Sequence, residues 1–218
     1  MTIQEAMYEQ ELRERALKLR RYEQLNRYAV RNQTVFAGSS LIEQFPASEL
    51  LAARGGNAIV YNRGIGGYTT EDMMDVLDIL VFDLEPFLLV LSIGTNDLNN
   101  PLYSLGQLAK NVSYIIDRTK ERLPGTVICW LSFYPVNPEA APEGMAEVFQ
   151  YRTNARIDEA NIALKDLLGT KGVKFLDANA GLRDAQGRLR RELTIDGIHL
   201  YPEGYKIVFD EIYPAVFG

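Results

Sequence analysis

Histidine, cysteine and tryptophan each occur once in this chain of 218 residues. The lone cysteine, Cys129, rules out an internal disulfide and a cysteine-built metal cluster, and its run Val127-Ile128-Cys129-Trp130-Leu131 reads as a buried strand. Positive charge is scarce as well: 23 Lys and Arg against 29 Asp and Glu give a formal net charge of −6, which argues against nucleic acid and against electrostatic binding to an anionic membrane. No apolar run approaches the roughly 20 residues of a membrane-spanning helix. The start, Met1-Thr2-Ile3-Gln4-Glu5-Ala6-Met7, lacks the basic-then-apolar order of a secretory signal, so a cytoplasmic location is expected. With a single imidazole in the chain, any histidine-based proton transfer has to use His199.

A hydrophobic content of 47% over this length is enough for one α/β core and too little for two ordinary domains. Residues from about Thr2 to Arg31 read as a long helix, with Glu11/Arg15, Glu14/Lys18 and Glu23/Arg27 at stabilising i,i+4 spacing and a thin apolar stripe that includes Leu12, Leu19 and Leu25. This helix is expected as an extension over residues 1–31, packed on its own domain or pairing with a second copy in a homodimer. From residue 32 to 218, strands and helices alternate. The strands are expected at Thr34–Ala37, Ala58–Asn62, Phe87–Ile93, Thr126–Phe133 and Val173–Leu176, and the helices at Glu71–Leu84, Leu102–Leu123, about Gly144–Leu168 and Pro202–Val216. Such alternation predicts a three-layer α/β/α domain around a five-stranded parallel sheet.

Four motifs fall just after strands or before the last helix. Strand one runs into Gly38-Ser39-Ser40. A glycine-rich turn, Asn62-Arg63-Gly64-Ile65-Gly66-Gly67, follows strand two, and Gly94-Thr95-Asn96-Asp97 follows strand three. Asp196-Gly197-Ile198-His199 precedes the final helix. Ligands of open α/β sheets bind at the carboxyl ends of the strands, so all four motifs are expected on one edge. A serine, an imidazole and a carboxylate there can perform nucleophilic acyl transfer, while an N–H near Gly67 and the uncharged Asn96 amide can stabilise an oxyanion. The loop Tyr134-Pro135-Val136-Asn137-Pro138 reads either as a wall of the same pocket or as an ordinary proline-rich loop.

In their order and separations these four blocks resemble the SGNH (GDSL-type) hydrolase superfamily, most closely the branch similar to platelet-activating-factor acetylhydrolase, over roughly residues 33–216. The resemblance implies a flavodoxin-like α/β fold and hydrolysis of carboxylic esters, of short-chain acyl or acetyl type. Ser40 would be the nucleophile, His199 the general base and Asp196 its orienting partner. Ser40, Gly67 and Asn96 would form the oxyanion hole, with no metal or organic cofactor. Ser39 stands where the family usually has aspartate, so the first block departs from the pattern. Two other readings stay open: a nucleotide-binding protein using the Gly64–Gly67 turn, whose G-x-G-x-x-G match fails at Thr69, and a non-catalytic binding module of the same fold.

Overall fold

A computed structural model describes residues 2–218; Met1, the first residue of the expected extension, lies outside the described residues. In chain order the elements are α1 (Ile3–Asn26), β1 (Thr34–Gly38), α2 (Ser40–Glu43), α3 (Ala47–Ala53), β2 (Val60–Gly64), α4 (Thr70–Asp75), α5 (Leu77–Leu80), β3 (Leu88–Ser92), α6 (Leu105–Arg122), β4 (Val127–Leu131), α7 (Ala146–Tyr151), α8 (Asn154–Thr170), β5 (Lys174–Leu176) and α9 (Pro202–Val216). The five strands form one parallel sheet in the order β2-β1-β3-β4-β5. This is the expected three-layer architecture.

Alternation along the strands divides the core between the two faces. Val35, Ala37, Leu89, Leu91 and Trp130 point to one face and pack with residues of α4, α5, α6 and α8. Phe36, Leu88, Val90, Cys129 and Leu131 point to the other and meet the apolar side of α9, including Val208, Phe209 and Ile212. Each such large aliphatic or aromatic side chain, taken from water to the core, contributes about 1.5–3 kcal/mol before chain entropy is counted. Cys129 is fully buried, and burial pushes its thiol up. Among the described residues no helix is long and apolar enough to cross a membrane.

The differences from the expected elements have local causes. The helix expected over Glu71–Leu84 breaks at Val76 and Val81, with φ of −128° and −132°, and both are β-branched residues that lose side-chain freedom in a helix. The helix expected near Gly144–Leu168 is two helices, because Arg152 leaves the helical region and Thr153 caps the start of α8. Helices α2 and α3 lie between the first two strands, where the expected elements include no helix. Helix α1 opens with a capping box between Thr2 and Glu5 and ends at Asn26, short of Arg31. It packs on its own domain, but not through the expected stripe: Leu12 and Leu25 are exposed, and only Leu19 of the three reaches the core, beside Tyr22.

Candidate active site

The register of the sheet decides where the motifs project. Gly38 of β1 is paired with Gly64 of β2 and with Ser92 of β3, so three strands end level with one another. Ser40, Gly67 and Asn96 therefore leave the same edge within a few residues of each strand end. Asn62 reinforces this corner: its Nδ2 donates to the Ile42 carbonyl at 2.5 Å and its Oδ1 accepts from Gly64 N–H at 2.9 Å, tying the short helix after Ser40 to β2.

Residues Ser40 and His199, 159 positions apart, meet at 2.9 Å between Oγ and Nε2. On the other side of the ring, Nδ1 lies 2.6 Å from Asp196 Oδ2. Asp196 Oδ1 accepts the backbone N–H groups of Ile198 at 2.9 Å and His199 at 2.8 Å, so the turn that carries the imidazole also fixes its carboxylate. Burial alone would raise the Asp196 carboxyl, but the His199 side-chain and backbone hydrogen bonds outweigh it and hold the group at about 2. An ionised acceptor at Nδ1 keeps the proton there and leaves Nε2 free to accept from the serine. Ser39 is buried at 1% exposure and its backbone N–H donates to the Ser92 carbonyl. Of the two adjacent serines, Ser40 alone faces the ring.

Helix α2 begins at Ser40, whose amide is among those a helix leaves without an intrahelical partner. Gly67 has φ of +74°, a left-handed conformation that favours glycine, and the Arg15 guanidinium of α1 lies close against it. Gly66 N–H donates to Glu43 Oε2 at 2.5 Å, while the other Glu43 oxygen pairs with Lys18 of α1. Asn96 Nδ2 donates to the Tyr68 carbonyl at 2.9 Å. Its Oδ1 accepts from Arg152 Nη2 at 2.5 Å, and Arg152 Nε donates to Asn99 Oδ1 at 3.0 Å. Arg152 is only 4% exposed; burial lowers its guanidinium to about 10 against the opposing pull of Asp196 and Asp97. Asp97 takes a capping role across elements, accepting Thr70 N–H at 3.0 Å at the start of α4.

A cleft of about 410 Å³ opens above Ser40 and His199. Two of its walls were not legible in the sequence. One is α1, which contributes Glu11, Glu14, Arg15 and Lys18; the other includes Met145, Val148 and Arg152 at and around α7. The loop Tyr134–Pro138 is not among the residues lining this cleft. It is a buttress: Asn137 N–H donates to the Gly197 carbonyl at 2.8 Å, and Asn137 Nδ2 donates to the Leu189 carbonyl at 2.7 Å. Arg152 carries no sequence signal of its own, being one arginine in an apparently helical stretch; only Thr153, a good cap, hints that the helix breaks beside it. Among the described residues no three His, Cys, Asp or Glu side chains group closely enough to hold a metal ion.

Comparison with known proteins identifies the family. Residues 43–207 match the GDSL-like lipase/acylhydrolase family. A Bacillus subtilis lipoprotein of uncharacterised role is 28% identical over 184 residues, covering 75% of each chain. The alpha1 subunit of bovine platelet-activating factor acetylhydrolase IB is 25% identical over 174 residues, covering 79% of this chain and 70% of that one. A solved structure from Streptococcus pneumoniae, provisionally assigned as a platelet activating factor, superposes with a TM-score of 0.87 at 28% identity, covering 98% of this chain and 97% of that chain. With most of its length matched by the family, this chain belongs to the GDSL-like lipase/acylhydrolases and is an esterase of that family.

Proposed function

We propose that the protein hydrolyses short-chain acyl esters, acetyl esters foremost, through an acyl-enzyme formed on Ser40. His199 takes the Ser40 proton as the hydroxyl attacks the acyl carbon, and returns it to the departing alcohol. A water then attacks the acyl-enzyme with the same imidazole as base, releasing the carboxylic acid and restoring Ser40. Asp196 orients the ring and stabilises the imidazolium that forms in each step. The amides of Ser40 and Gly67 and the Asn96 side chain receive the negative charge of the tetrahedral intermediate.

The observation that carries this reading is the unbroken chain Ser40–His199–Asp196 at hydrogen-bond distances of 2.9 and 2.6 Å, opening on a cleft beside Gly67 and Asn96. The acetylhydrolase activity named for the bovine relative supports the short acyl group. The nucleotide reading of the Gly64–Gly67 turn gains no support, because the Glu43 carboxylate occupies the Gly66 amide that a phosphate would need. A serine-reactive fluorophosphonate, followed by peptide mass analysis, tests the reading. Labelling is expected on Ser40, to disappear in Ser40→Ala and to persist in Ser39→Ala. Labelling of Ser39, or hydrolysis of p-nitrophenyl acetate that survives Ser40→Ala, contradicts it.

A further inference from the structure

We propose that the N-terminal helix is the substrate-selecting wall of the cleft, and that the alcohol it accepts is neutral and hydroxylated, as a sugar is. This rests on the esterase reading above. Arg15, Lys18, Tyr22 and Asn26 recur at three- and four-residue intervals, so they lie on one face of α1. That face is held to β2 and the glycine turn at every level. Tyr22 Oη donates to the Gly64 carbonyl at 2.8 Å, and burial with Glu43 nearby pushes its hydroxyl up to about 12, so it stays a donor. Asn26 Oδ1 accepts from Arg63 Nε and Nη2 at 3.1 and 3.0 Å, Lys18 pairs with Glu43, and the Arg15 guanidinium lies against Gly67. The wall is thus fixed and adjoins the reacting carbon's place.

Its chemistry selects the ligand. Glu11, Glu14 and Glu43 face Arg15, Lys18 and Arg152 around the cleft, three carboxylates against three cations, so neither an anionic nor a cationic substrate is favoured by net charge. The apolar side chains of the cleft, Ile65, Met145, Val148 and Ile198, come from other elements; against α1 itself a long alkyl chain would strip water from ionised groups and return no hydrogen bond. Hydroxyl groups both donate and accept, and so replace that water among carboxylates and guanidinium groups alike. The space of about 410 Å³ suits a small alcohol moiety.

The test compares kcat/KM for a mono-O-acetylated glucose with that for n-octyl acetate, which has the same acyl group on an alkyl alcohol, in the intact protein and in Glu14→Leu and Glu11→Leu/Glu14→Leu. Melting curves confirm that each variant is folded; should the double variant fail to fold, the exposed Glu14 change alone carries the test. The intact protein is expected to favour the sugar ester, and the ratio of the two kcat/KM values to fall about tenfold or more in the double variant, as loss of matched polar contacts implies. An intact enzyme that favours the octyl ester, or a ratio that stays within about twofold in folded variants, overturns the proposal while leaving the esterase reading standing. If the intact protein hydrolyses neither these esters nor p-nitrophenyl acetate, both readings fall together.

A separate observation assigns a positioning role. We infer that Arg152 sets the orientation of the Asn96 amide. An arginine has donors only, so the Asn96 atom 2.5 Å from Arg152 Nη2 must be the oxygen. Nδ2 is then turned away, one hydrogen on the Tyr68 carbonyl and the other left for an oxyanion in the cleft that Asn96 lines. Charge-assisted pairing at Oδ1 also polarises the amide and strengthens Nδ2 as a donor. With p-nitrophenyl acetate, Arg152→Met is expected to lower kcat by roughly the 10²-fold that loss of one oxyanion donor brings, with KM changed far less. In an Asn96→Ala background the same change is expected to cost less than about threefold, since the group it positions is gone. Losses that multiply, or a loss confined to KM, overturn the inference. If Arg152→Met does not fold, Arg152→Lys enters the same cycle, keeping the charge but not the fork that reaches Asn96 and Asn99 together.

Discussion

Two regions build this cleft by different rules. On the strand edge, Ser40, Asn96, Asp196 and His199 are short or stiff side chains set on turns a few residues from the strand ends or from α9, and each turn is braced by its own backbone, as where Asp196 Oδ1 accepts the next N–H groups. On the opposite side, α1 contributes long side chains whose partners are distant in sequence, Lys18 to Glu43 and Tyr22 to Gly64. Local motifs therefore mark the strand-edge side of the cleft, whereas its α1 wall is set by tertiary contacts between polar residues. The helix expected as an extension lines the same cleft as Ser40 and His199.

The comparison breaks most sharply at the reacting group. Ser40→Ala is expected to lower kcat for p-nitrophenyl acetate by about 10³-fold or more, with Ser39→Ala retaining most activity; equal losses would remove the distinction between the two serines. Next, Asp196→Asn is expected to reduce kcat by about 10³–10⁴-fold with the fold intact. The same change has a pH signature. Because the folded carboxyl titrates at about 2 and an unfolded one at about 3.9, its stabilisation is full above the unfolded value and is lost as pH falls through the folded one. The melting-point gap between wild type and Asp196→Asn should thus be widest near neutrality and close between about pH 4 and 2. A gap independent of pH over that interval would mean that the carboxylate is not held by His199.

Smaller effects probe the helix. Asn26→Ala leaves the Arg63 guanidinium, 5% exposed, without the acceptor for its Nε and Nη2. A cost of about 1.5–3 kcal/mol is expected, readable in urea unfolding. Leu12→Ser and Leu25→Ser, on the outward side of the same helix, should each change stability by no more than about 0.5 kcal/mol. The reverse ranking would restore the apolar stripe as the packing face and undo the contrast.

Much of the strand edge was legible because its signals are local. Runs such as Leu88-Leu89-Val90-Leu91 can only be buried strands, and glycine, asparagine and aspartate in the following turns mark the sheet edge. The four motifs and their convergence follow from strand alternation alone. Helix α1 misleads because its inward face is polar: Leu12, Leu19 and Leu25 suggest a stripe, yet Arg15, Lys18, Tyr22 and Asn26 make the contacts. Hydrophobic periodicity does not register a face held by hydrogen bonds and ion pairs. Arg152 was hidden for a related reason, since an arginine within a helical pattern ordinarily points to water, and its burial depends on Asn96 and Asn99 from another loop.

The solitary imidazole permits the most direct test of the central claim, that Ser40, His199 and Asp196 act as one reactive unit. Proton NMR of the one histidine ring gives its ionisation curve without assignment, and the pH dependence of kcat/KM for p-nitrophenyl acetate gives the ionisation that limits the free enzyme. The two midpoints are expected to coincide, with activity rising as the ring loses its proton. Midpoints separated by more than about one pH unit, the ordinary spread of environmental effects, would show that another group controls the reaction and would contradict the account.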